Sequence, residues 1–132
     1  MYFPEDINKE QKEIIELNKD VKKDIIITYE NAIELINNKN NYLKNIGRID
    51  LSNNIIQNII LTFKDSPYID KENYMEIFSS LIETFIYYES VFERKLTSEE
   101  ILNYLKNEFN KNEGSIELLN SISFERLCDK VC

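Results

Sequence analysis

Apolar residues recur every three or four positions along most of the chain, which is the spacing of an amphipathic α-helix. The pattern predicts helices over 5–24, 28–46, 52–64, 71–94 and 97–109, then a short one from Ser115 and a last one over 124–131. Two short runs, 25–27 and 48–51, are predicted to be extended, and they could pair as a minimal two-strand contact. We therefore predict an all-α fold, a compact bundle of about five to six helices around a long central helix.

The central helix is predicted over residues 71–94, the longest and most apolar range. Its apolar stripe consists of Tyr74, Ile77, Phe78, Leu81, Ile82, Phe85, Tyr88 and Phe92. Ile86 and Val91 widen this stripe on its two flanks, whereas Tyr87 falls with Glu83 on the opposite, polar side. Because apolar positions extend beyond one stripe, we predict that the other helices of the chain contact this helix on several sides. The alternative is that its C-terminal half forms an interaction surface for a second copy or another protein, with Ile86, Tyr87, Val91 and Glu83 as the candidate residues.

Short polar residues mark where several helices begin. Candidate N-caps are Thr28, Ser52, Asp70, Thr97 and Ser115. Thr97 and Glu100 have the spacing of a capping box, in which each side chain accepts a hydrogen bond from the other residue's backbone N–H. Gly47 is predicted to end the second helix as its C′ residue.

Length and composition fit a single helical domain over residues 1–132. Residues 1–24 are predicted to form a loosely packed N-terminal arm, because their apolar positions are sparse. The chain has only two Gly and two Pro, and sheet-rich folds need more of these turn-forming residues. This scarcity favours helices joined by short connections.

The formal net charge is −8, and the basic residues are dispersed among acidic ones. Such a chain repels phosphate backbones, so we expect no nucleic-acid partner. An acidic solubilising surface is the simplest interpretation, and an acidic face for a basic partner is the alternative. Since neither a signal-peptide pattern nor a membrane-spanning apolar run occurs, we expect a cytoplasmic protein without membrane association.

Catalytic chemistry has few candidate residues in this sequence. The chain contains no His, which excludes Ser-His-Asp and Cys-His nucleophiles and the Glu-x-x-His pairs of di-iron bundles. With two Gly it has no phosphate-binding loop. We expect no cofactor and no catalytic residue. The alternative is an enzyme that uses Glu89, whose pKa would rise if it were buried, or Tyr88.

The two cysteines, Cys128 and Cys132, stand four positions apart and would share one helix face. A metal or redox pair is conceivable there, but the spacing differs from the Cys-x-x-Cys of redox motifs. We interpret Cys128 as a buried structural residue and Cys132 as incidental. We therefore expect no metal site.

Several segments together resemble a known family: "GRID", "FKDSPYID", "ENY", "FIYYESVFE", "LTSEEILNYL", "GSIELL" and "FERLC". The set is similar to a family of small proteins from anaerobic Firmicutes, a domain of unknown function. The likeness covers roughly residues 28–131, with the N-terminal arm outside it. Here "FIYY" places Ile86 where adjacent aromatic residues are usual. The resemblance implies a bacterial, cytoplasmic protein and transfers no catalytic residue.

Two functions are consistent with these observations. The first is a non-enzymatic helical protein–protein interaction or assembly module, which binds itself, for example as a homodimer, or another protein. The second is an acidic inhibitor or immunity-type protein that binds a basic site on a partner, and whose binding would weaken with salt.

Overall fold

The structure is a computed structural model that describes residues 4–17, 25–47, 54–93 and 95–131, with the side chains of 4–8 excepted. These residues form seven α-helical segments: α1 (Pro4–Glu16), α2 (Tyr29–Asn45), α3 (Ile55–Phe63), α4 (Tyr74–Val91), α5 (Ser98–Lys111), α6 (Ile116–Leu119) and α7 (Ile122–Val131). The described ranges contain no strand, and the predicted all-α bundle is confirmed. The suggested pairing of 25–27 with 48–51 falls partly outside the described residues.

Helix α4 is the longest helix and lies at the centre of the bundle, where it contacts α2, α3, α5 and α6. It begins at Tyr74 rather than at residue 71, because Asp70 holds the preceding segment as a turn. The Asp70 carboxylate accepts hydrogen bonds from the backbone N–H groups of Glu72 and Asn73, at 2.8 and 3.1 Å. Side chains on most of the circumference of α4 are buried: Phe78, Leu81, Ile82, Thr84, Phe85, Ile86 and Tyr88.

Helices α2 and α4 lie side by side and run parallel. The Tyr74 hydroxyl donates to Asn31 Oδ1 at 3.0 Å, and Asn38 Nδ2 donates to Ser79 Oγ at 3.1 Å. Residue numbers rise together along the two helices, so both point the same way. The chain returns between them through α3, whose last residue, Phe63, packs edge-to-face on Phe109 near the end of α5 with ring centroids 5.4 Å apart.

Local signals explain several helix ends. Thr28 and Thr97 both form capping boxes, with Asn31 and Glu100 respectively at the N3 position. Gly47 follows α2 with a φ of 72°, the left-handed conformation expected of a C′ glycine. Helix α3 begins after Asn54, while the predicted cap at residue 52 lies outside the described residues.

Helix α1 packs against α2 and α3 through apolar and polar contacts. Ile14 is fully buried. The Lys39 ammonium, also fully buried, pairs with the Glu10 carboxylate, and Gln57 Nε2 donates to Glu13 Oε2 at 2.9 Å. These contacts attach the described part of α1 to the bundle, and the loosely packed arm over residues 1–24 stays a prediction.

None of the described helices combines the length and the apolar character that a membrane span requires.

Candidate interaction surface

One face of α4 stays open to solvent, and we call it the α4 strip: Glu76, Ser80, Glu83, Tyr87 and Val91. These positions are three, four or seven apart, so they follow one line along the helix. All are exposed except Ser80, which is half-buried. Polar residues occupy the N-terminal part of the strip, and the two apolar residues occupy its C-terminal part.

Helix α2 forms one edge of the α4 strip. Asn38 contacts Ser79 41 positions further along the chain, and Tyr42 lies beside Glu83 at the same offset. Burial, together with this carboxylate, raises the pKa of Tyr42. Because the two helices run parallel, the same offset brings Ile46, at the end of α2, to the level of Tyr87.

Helices α6 and α7 form the opposite edge. Thr84 donates to Asn120 Oδ1 at 2.9 Å, just after α6. The Tyr87 ring packs on Phe124 of α7 with centroids 5.1 Å apart. Phe124 also lies 5.2 Å from the ring of Tyr88, which turns toward the core. The exposed aromatic residue of the strip therefore rests on a buried aromatic cluster.

The four residues that the sequence suggested as an interaction surface differ in their exposure to solvent. Tyr87 is 50 % exposed and Val91 43 % exposed, and Glu83 is also exposed. Ile86 is only 2 % exposed and belongs to the core, so it does not lie on the surface. The reason is that Ile86 lies about 100° around the helix from Tyr87, beyond the solvent-facing strip. The binding role of the other three stays a prediction.

Tyr88 and Glu89, the residues suggested for catalysis, are both engaged in structural contacts. The Tyr88 hydroxyl donates to the Leu119 carbonyl at 2.5 Å, and burial raises the pKa of its phenol. Glu89 accepts a hydrogen bond from Ser98 Oγ at 2.7 Å, which ties the end of α4 to the start of α5. These contacts connect helices, and a catalytic role of Tyr88 or Glu89 stays an untested alternative.

A small cleft lies between the α3–α4 connection and α5, away from Tyr88 and Glu89. Its lining includes Ser66, Pro67, Lys106 and Asn110, and its volume is about 60 Å³. Pockets for small-molecule ligands are several times larger. The cleft therefore offers no room for such a ligand.

Within the described ranges, no group of three or more His, Cys, Asp or Glu side chains could hold a metal ion. Cys128 packs against the core but is half-buried rather than buried as predicted, and its structural role stays a prediction. Cys132 lies outside the described residues. The expectation of no metal and no cofactor stays a prediction.

Two buried polar groups were not anticipated from the sequence. Lys39 was not identified as a core residue, although it is fully buried. Glu108, also buried, accepts a hydrogen bond from Ser123 Oγ at 2.9 Å and pairs with Arg126 at 3.5 Å. In both cases the hydrogen-bonding or charged partner lies on another helix, so the spacing of residues along one helix could not predict the pair.

The fold and this surface define an all-α bundle whose central helix is open along one face. The chain belongs to the family of unknown function DUF6323, whose model matches residues 13–132. This match begins earlier than the expected residue 28 and includes the end of α1. No curated protein and no solved structure matches the chain.

Proposed function

We propose that this protein is a helical interaction module that binds a protein partner through the C-terminal part of the α4 strip. The observation that carries the proposal is the exposure of Tyr87 and Val91 on a helix whose other faces are buried. Tyrosine is enriched where proteins bind one another, because its ring supplies contact area and its hydroxyl remains hydrogen-bonded.

The exposed apolar residues at the C-terminal part of the strip are adjacent to one another. Single exposed apolar residues are normal on soluble proteins and carry no meaning. Tyr87 and Val91 are adjacent on one helix face, Phe124 touches Tyr87, and the α2 register brings Ile46, 40 % exposed, to the same level. Tyr87, Val91 and Phe124 thus form one apolar area, which we call the apolar end of the strip.

The buried cluster beneath the surface supports the same proposal. Tyr87 packs on Phe124, and Phe124 packs on Tyr88 and Phe92, with ring centroids 5.1 to 5.6 Å apart. A side chain held in this way loses little conformational entropy when a partner covers it. Preorganised aromatic residues of this kind are typical of interface hot spots.

The proposal is tested by quantitative affinity capture from the native host with three forms of the protein. We expect wild type to enrich a reproducible partner and the Tyr87→Ser, Val91→Ser double variant to lose it. Leu61→Ser is the matched control, because Leu61 is similarly exposed, at 41 %, but lies on α3. Equal capture by all three forms would contradict a role for the strip. Light scattering of the purified forms distinguishes self-association from binding to another protein.

The net charge of −8 favours a second candidate, an acidic inhibitor that blocks a basic site on its partner. Charge then dominates binding, so affinity falls steeply between low and high salt. Capture at both salt concentrations tests it. Loss of the partner at high salt supports this candidate, whereas salt-independent capture that requires Tyr87 contradicts it.

A further inference from the structure

We propose that the α4 strip binds a basic amphipathic helix of another protein. This inference rests on the proposed function and names the chemistry of the partner. It follows from the distribution of charge along the strip, from the length of the strip, and from the poor fit of a second copy of this chain.

Carboxylates line the strip beyond its apolar end. Glu76 and Glu83 lie on α4, and Glu34 lies on α2 one turn before Asn38, which contacts α4. All three carboxylates are exposed. We call this part the acidic end of the strip. None of the five residues that define the strip is Lys or Arg.

The two ends together specify the partner. The apolar end needs apolar side chains to cover Tyr87 and Val91, and the acidic end needs Lys or Arg opposite Glu34 and Glu83. Both kinds of side chain must be arranged along one line. An amphipathic helix with basic residues flanking its apolar face supplies this arrangement, and such helices commonly bind in grooves between helices.

The length of the strip also suits a partner helix. Helices that lie side by side present ridges and grooves of side chains, on which a third helix can pack. From Glu76 to Val91 the strip extends about 22 Å, since an α-helix rises 1.5 Å per residue. A partner helix of about four turns would cover this length.

A second copy of this chain fits the strip less well. If two copies paired with their α4 helices parallel, Glu76 and Glu83 would face the same carboxylates of the other copy and repel them. If they paired antiparallel over the whole strip, Val91 of the other copy would cover Glu76 without a cation, and the two Glu83 carboxylates would lie close together. Both arrangements leave charge uncompensated.

The experiment uses the full chain and three synthetic peptides of about 18 residues. The first peptide places Leu and Phe at helical spacing with Lys on both flanks. The second has the same composition in an order without helical period, and the third replaces Lys with Glu. Binding is measured by fluorescence anisotropy at low and moderate salt, and amide chemical shifts locate the site. We expect the first peptide to bind at least about tenfold more tightly than either of the others.

Charge-reversed variants test the acidic end. Glu34→Lys with Glu83→Lys should weaken the first peptide about tenfold. The matched control is Asp65→Lys with Glu113→Lys. It changes the net charge equally at exposed positions outside the strip, on the side of the molecule where the α3–α4 connection meets α5. This control should retain affinity within about threefold of wild type.

The outcomes separate this inference from the proposed function. Equal binding of the periodic and scrambled peptides, or equal loss in both charge-reversed variants, would mean non-specific attraction and would overturn the inference. Shifts outside α2, α4 and α7 would overturn it as well. If these results accompany a host partner whose capture requires Tyr87, the interaction module stands and only its basic helical partner is wrong. If capture does not require Tyr87, the proposed function itself fails.

Discussion

Removal of the Tyr88 hydroxyl should destabilise the fold measurably, because this group connects α4 to α6 inside the core. Tyr88 is fully buried, and its hydroxyl donates to the Leu119 carbonyl at 2.5 Å. Tyr88→Phe keeps the ring contacts with Phe92 and Phe124. The substitution therefore isolates one hydrogen bond.

The expected cost follows from the acceptor that is left behind. A typical hydrogen bond contributes about 1 kcal/mol net, and a buried acceptor without its donor costs about 1–3 kcal/mol. Since the bond between Tyr88 and Leu119 is buried, water does not readily replace the lost donor. We expect the free energy of unfolding to fall by about 2 kcal/mol. For a chain of this size the melting temperature should fall by about 3–5 °C per kcal/mol.

Urea unfolding followed by circular dichroism measures this change, and Tyr104→Phe is the control. Tyr104 also donates to a backbone carbonyl, that of Ser123 at 2.7 Å, but this bond is only partly buried. Water can hydrate that carbonyl, so the control should lose less than about 1 kcal/mol. If Tyr88→Phe lost no more stability than Tyr104→Phe, the assigned role of the Tyr88 hydroxyl would be wrong.

Three further predictions concern the fold. Gly114→Ala should lower the free energy of unfolding, measured with urea, by about 2–4 kcal/mol, because Gly114 has a φ of 82° and an added Cβ would lie 2.6 Å from Tyr68 Cβ. An unchanged free energy of unfolding would contradict this close approach. Thr97→Ala removes the capping hydrogen bond to the Glu100 N–H and should cost about 1 kcal/mol, and an unchanged urea midpoint would argue against the capping box. Burial raises the pKa of the Tyr88 phenol above its ordinary value of 10.0, so the unfolded state loses this proton at a lower pH than the folded state does. The free energy of unfolding should therefore fall as pH rises above about 10. Tyr88→Phe should show a shallower fall in urea titrations over that range, and an identical slope would refute the link.

The sequence predicted the features that depend on local spacing. The apolar stripe of α4 and the capping box of Thr97 and Glu100 involve residues close together in the chain, where helical geometry fixes which side chains meet. The prediction of one long central helix therefore held, although α4 begins at Tyr74 because Asp70 stabilises a turn before it.

The sequence could not determine how far the open side of α4 extends. Periodicity placed Tyr87 on the polar side, which does stay open, but it placed Ile86 and Val91 alike on the flanks of the apolar stripe, although Ile86 is buried and Val91 is exposed. That difference depends on where α2 and α7 pack. The burial of Lys39 has the same origin, since its carboxylate partner comes from α1. Contacts between distant segments decide both cases.

The central claim, that the α4 strip binds a partner, is tested most directly by photo-crosslinking inside cells of the native host. A photoreactive phenylalanine analogue replaces Tyr87 in one form and Leu61 in a control form; both positions are solvent-exposed. We predict one reproducible crosslinked protein from position 87 and none from position 61, and the crosslink should map to a helical segment of that protein. No adduct from position 87, or the same adducts from both positions, would contradict the account.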